Sequence, residues 1–128
     1  MLRSRIRLAL MLLLSAGTAS ACRSASPYDV NQEGSGVMIV VRNQNFSDMD
    51  VYAIASGLPS RLGTVTGNSS QTFKVNESFV AGTGDFRLVA TPIGGNGRAS
   101  SGPLQVSGGR TVYFTIGSSL AQSNASVQ

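Results

Sequence analysis

The 128 residues contain no histidine, no tryptophan and a single cysteine, Cys22. Without histidine the commonest general base and the commonest metal ligand are missing, which excludes Ser-His-Asp and Cys-His catalysis and the usual zinc sites. Of the formal net charge of +4, three units are carried by Arg3, Arg5 and Arg7; past residue 21, seven basic residues stand singly against six acidic ones, without the basic patch of a nucleic-acid binder.

The chain opens with Arg3, Arg5 and Arg7, continues through an apolar run unbroken from Leu8 to Leu14, and passes into small residues ending at Ala19-Ser20-Ala21. Positive end, apolar run and small-residue site are the form of a secretory signal peptide over residues 1–21. The run is too short to span a bilayer, which needs about 20 apolar residues. Cleavage between Ala21 and Cys22 takes 21 residues from 128 and leaves 107, the length of one domain. An exported chain with one cysteine has no partner for an internal disulfide, so Cys22 at the first mature position needs its own explanation.

Ala19-Ser20-Ala21-Cys22 resembles the lipobox of bacterial lipoproteins, with Ala19 where that family usually has leucine or another larger aliphatic residue. The resemblance implies a diacylglyceryl group on the Cys22 thiol, an acylated N-terminus and a lipid-held protein of the cell envelope. Arg23, in place of aspartate, implies sorting to the outer membrane by resemblance to enterobacterial lipoproteins. The alternative is a periplasmic or secreted soluble protein with a free Cys22 thiol.

Residues 22–36 are polar and broken by Pro27, Gly34 and Gly36, as in a flexible tether. Residues 37–42 form the first strand, apolar on both faces up to Arg42, as in a doubly buried strand. A turn rich in Asn and Asp follows, then a second strand at 50–55 with Val51, Ala53 and Ala55 on one face. Residues 57–60 are a turn, 61–66 a third strand and 71–75 a fourth. Residues 76–84 are an irregular crossing between sheets, with Phe79 closing the end of the core. A fifth strand at 85–93 places Phe86, Leu88 and Ala90 on one face, and Gly94-Gly95-Asn96-Gly97 turns the chain. A weaker sixth strand at 99–106 contains Pro103, which marks an edge. The seventh, 110–116, alternates most clearly, with Val112, Phe114 and Ile116 inward. Residues 117–128 are a polar tail.

Seven short strands with regularly spaced turns predict an all-β fold: one small antiparallel β-sandwich over 37–116, with a small barrel as runner-up. This rhythm is similar to the small immunoglobulin-like and transthyretin-like domains of bacterial envelope proteins, without the Cys-Trp-Cys core of true immunoglobulin domains.

No catalytic group is expected, and no cofactor. Gly94 to Arg98 lacks the lysine and following Ser or Thr of a phosphate loop and is a turn; Lys74 is a solvated charge. Asn43, Asn45, Asp48 and Asp50 cluster hard oxygen donors over one loop, the least improbable metal site being calcium, although two carboxylates are few for that ion. Tyr52 and Tyr113 are either a small carbohydrate platform or core rings with their hydroxyls at the rim. The expected function is a non-catalytic envelope lipoprotein whose sandwich binds a protein partner by loops or by strand addition at the edge near Pro103; the alternative is a secreted carbohydrate- or calcium-binding module.

Overall fold

The computed structural model describes residues 36–81 and 84–128. The expected signal peptide over residues 1–21, its cleavage site at Ala21 and Cys22, and residues 23–35 lie outside the described residues. The rest folds into strands β1 (Gly36–Asn43), β2 (Met49–Ala55), β3 (Leu58–Val65), β4 (Ser70–Asn76), β5 (Arg87–Pro92), β6 (Ala99–Ser100), β7 (Thr111–Ile116) and β8 (Asn124–Val127). A helical turn, α1 (Glu77–Val80), follows β4, and a 3-10 turn (Leu120–Gln122) precedes β8.

The strands make two four-stranded sheets, ordered β4-β1-β7-β8 and β3-β2-β5-β6. The fold is the expected all-β sandwich. Alternation builds its core. Val37, Ile39 and Val41 of β1 and Val112, Phe114 and Ile116 of β7 share one buried cluster with Met49, Val51 and Ala53 of β2 and Leu88 and Ala90 of β5. All are fully buried, and a large apolar side chain contributes about 1.5–3 kcal/mol when so placed. On the open flank between β3 and β4, Phe73 packs over Gly63. A Cβ at Gly63 would sit 2.8 Å from the ring, so only glycine fits beneath it.

Several expectations are corrected. The first strand is buried on one face only: Met38 is exposed and Val40 half-buried, because no layer covers the outer side of its sheet. β1 pairs with β7 in parallel, Ile39 opposite Val112, so that sheet is mixed rather than antiparallel throughout. The turn read at 57–60 is instead the two residues Ser56 and Gly57, both at positive φ (51° and 75°), which is the type I′ hairpin geometry; β3 therefore starts at Leu58 and carries Pro59. The sixth strand closes at Ser100, short of Pro103, although β6 is an edge as expected. Beyond it the chain stays against β5 through Ser101 N–H to the Leu88 carbonyl (2.9 Å) and Leu104 N–H to the Phe86 carbonyl (2.7 Å). The irregular crossing holds α1, capped by the Asn76 side chain, which accepts from Ser78 N–H at 2.9 Å. It does pass between sheets, with Val80 buried and Phe79 packed on the core. The segment read as a polar tail forms the 3-10 turn and β8, an eighth strand beside β7.

The pairings fix which loops meet. In one sheet β1 and β7 run opposite to β4 and β8, in the other β3 and β5 run opposite to β2 and β6, and backbone bonds such as Asn68 N–H to the Asn45 carbonyl and Ile93 N–H to the Asp48 carbonyl join the two sheets' loops. Loops 44–48, 66–69, 93–98 and 117–123 therefore gather at one end. Gly36, the Ser56-Gly57 hairpin and α1 lie at the opposite end.

Candidate functional site

The gathered loop end is held by a polar framework centred on Asn43. This side chain is 1% exposed. Its Nδ2 donates to the carbonyls of Ser47 (2.9 Å), Val65 (3.2 Å) and Thr66 (3.2 Å), and its Oδ1 accepts from Asn45 N–H at 3.0 Å. One amide thus ties loop 44–48 to the end of β3. Asn45 extends the framework: its Oδ1 accepts from Ser47 N–H at 2.9 Å, and its Nδ2 donates to the Ser118 carbonyl at 2.9 Å. Asp48 Oδ1 accepts from Gly67 N–H at 3.0 Å, while its carbonyl accepts from Ile93 N–H at 2.9 Å. Asn68 N–H donates to the Asn45 carbonyl at 3.0 Å. Loops from both sheets are therefore cross-linked through backbone and short side chains.

This framework presents two apolar side chains to solvent. Phe46 is 86% exposed and Ile93 56% exposed. Phe46 sits between Asn45 and Ser47, both in Asx-type bonds, so the backbone beneath the ring is set by its neighbours. On its other side the loop lies against Gly67, where a Cβ would meet the Phe46 carbonyl oxygen. The arrangement suits recognition, since ordering costs on binding are small when loops are already fixed, and an exposed ring offers a large apolar area.

Of the four residues read as calcium donors, three join the loop framework and Asp50 does not. Asn43, Asn45 and Asp48 close the loops as described. The Asp50 carboxylate engages the outer face of the other sheet: its Oδ1 accepts from Thr64 Oγ1 at 2.6 Å and from Arg61 Nη2 at 2.7 Å, and Arg61 also donates to Thr64 Oγ1 at 2.8 Å. The Thr64 hydroxyl first, then the Arg61 guanidinium, hold the Asp50 carboxyl below the ordinary aspartate range. The same carboxylate raises the pKa of Arg61. Among the described residues, no three His, Cys, Asp or Glu side chains stand together as a metal-holding group.

Both readings of the tyrosines are corrected. Tyr52 lies on the outward face of β2 opposite Arg61 and Val89. Tyr113 lies on the outward face of β7 opposite Val40 and Ser126. They occupy different sheets, so they form no joint platform, and neither ring belongs to the core. Sequence reasoning missed Phe46 and Ile93. The available signal was an aromatic residue inside an otherwise polar turn, Asn43-Gln44-Asn45-Phe46-Ser47-Asp48.

No family model matches the chain, and no curated protein matches it in sequence. Among solved structures it is similar to the NMR structure of a protein from Eubacterium rectale, at 16% identity and a TM-score of 0.46, covering 76% of this chain and 91% of that one.

Proposed function

We propose that the chain is an exported, lipid-anchored protein of the bacterial cell envelope, whose β-sandwich is a non-catalytic module that binds a protein partner through its loop end. The observation that carries the binding surface is Phe46, 86% exposed on a loop fixed by Asn43 and Asn45. Burying such a ring in a partner pocket contributes about 1.5–3 kcal/mol, and Ile93 adds apolar area beside the same framework. The anchor is supported by Cys22 following Ala19-Ser20-Ala21. Topology makes the two parts compatible. The chain enters the sandwich at Gly36, and β1 spans its eight residues, roughly 26 Å at strand rise, before reaching the loop end. A tether from Cys22 would therefore join the sandwich at Gly36, at the end opposite Phe46 and Ile93.

The test is photo-crosslinking in intact cells, with a photoreactive residue placed at 46, 93 or 58. Leu58 is 70% exposed but stands at the Gly36 end. The proposal expects a discrete protein adduct from positions 46 and 93, and little from 58. Equal yield from all three, or none from 46, contradicts it.

A further inference from the structure

Among the described residues the sandwich has four sheet edges, and three carry features that discourage pairing with another strand. β3 carries Pro59 and Arg61, and its register with β2 shifts between Val51 and Tyr52, leaving Leu62 as an extra residue. β4 carries the exposed Lys74. β6 is two residues long and is followed by Pro103. β8 differs. Its residues, Asn124-Ala125-Ser126-Val127, include no charge and no proline, and its register with β7 is unbroken.

The outward groups of β8 follow from its inner pairing. Thr111 and Gln128 exchange bonds, Thr111 N–H to the Gln128 carbonyl at 2.9 Å and Gln128 N–H to the Thr111 carbonyl at 2.8 Å. Antiparallel alternation then directs the backbone of Asn124 and Ser126 to β7, and the amides and carbonyls of Ala125 and Val127 away from it. The Ala125 and Val127 side chains are half-buried against the core, and those of Asn124 and Ser126 are exposed on the outer face.

From this we infer that β8 pairs antiparallel with β8 of a second copy, about a two-fold axis at Ser126. The strand is self-complementary in that register. Ala125 lies opposite Val127 of the partner subunit and Val127 opposite Ala125 of the partner subunit, so the free backbone groups of each copy satisfy those of the other. No charge stands on the strand, whereas β4 paired with itself about Lys74 would oppose two lysines. The two four-stranded sheets become one eight-stranded sheet, and the half-buried Ala125 and Val127 side chains join two cores. This inference does not rest on the proposed partner at the loop end, because β8 lies along the flank.

The register gives a residue-level test, made on the protein isolated as the cell produces it. Ser126 and Ser126 of the partner subunit form a non-hydrogen-bonded pair, with Cα atoms about 4.5 Å apart, within disulfide range. The two Asn124 positions are about 13 Å apart at strand rise, outside that range. Under mild oxidation Ser126→Cys is expected to form a covalent dimer at least ten-fold faster than the equally exposed Asn124→Cys, with the link mapped by peptide mass to separate any route through Cys22. By sedimentation, Ser126→Lys and Ser126→Glu are each expected to be monomeric, and their mixture to recover the dimer. Equal cross-linking at 124 and 126, a wild-type monomer at every concentration, or indifference to the charge changes would overturn the inference. Phe46→Ala is expected to abolish adducts at the loop end and leave the Ser126→Cys link intact, so failure of one reading is distinguishable from failure of the other.

Discussion

Replacing Asn43 with alanine tests whether one buried amide holds the loop end together. Asn43 Nδ2 carries two protons shared among three carbonyls at 2.9–3.2 Å, and Oδ1 accepts one further bond. Counting two donated bonds and one accepted, at about 1 kcal/mol net each, truncation should cost about 3 kcal/mol. Water reaching the vacated site would lower this figure; the full desolvation of an orphaned buried carbonyl would raise it. For a domain of this size each kcal/mol moves Tm by about 4–8 °C, so thermal unfolding followed by circular dichroism should show a fall of more than 10 °C. Asn43→Asp makes the same argument sharper. Its carboxylate would face the Ser47, Val65 and Thr66 carbonyls with no proton to donate, so it should be less stable than Asn43→Ala at neutral pH. It should recover stability on acidification, because the protonated acid regains one donor. An alanine variant within about 0.5 kcal/mol of wild type, the usual range for a surface change, would refute the reasoning.

Three further outcomes follow from the same geometry. Phe46→Ala removes a side chain that contributes to binding rather than to folding, so its denaturant midpoint should match wild type while the cross-link from position 93 to the partner is lost. Gly67→Ala places a methyl against the Phe46 carbonyl, where the contact is backbone and cannot swing aside; a urea titration should show destabilisation of about 1–3 kcal/mol, typical of overpacking. For Asp50, the folded pKa lies below its unfolded value, so the stability it contributes is present above the ordinary aspartate range and is lost as pH falls through the folded pKa. Thr64→Val and Arg61→Gln should each move the Asp50 carboxyl titration, followed by NMR, upward.

The alternating runs were legible because their periodicity and their burial agree. Val51, Ala53 and Ala55, and Val112, Phe114 and Ile116, point inward as their spacing requires. β8 was not legible: Asn124 to Val127 is polar and small, and it becomes a strand because β7 offers a free ladder beside it. The parallel pairing of β1 with β7 joins residues far apart in the chain, and no local pattern encodes it. Pro59 drew the turn two residues late, because proline marks turns; here it stands on an edge strand, where a missing N–H is tolerated. At the loop end, the Asn- and Asp-rich pattern marks a turn, with calcium only as its minor alternative, and the amides and carboxylates serve the backbone around them. That reading passed over the ring they support. For Tyr52 and Tyr113 alternation fixed the outward face, but only the sheet order places them on opposite sides of the molecule.

The central claim, an envelope protein held by its N-terminus with its loop end free to bind, is tested most directly by the intact mass of the N-terminal peptide from membrane and soluble fractions of the native cell. The account predicts a peptide beginning at Cys22, carrying acyl chains and found in the membrane fraction. An unmodified Cys22 in the soluble fraction, or an uncleaved residue 1–21 segment, would contradict it.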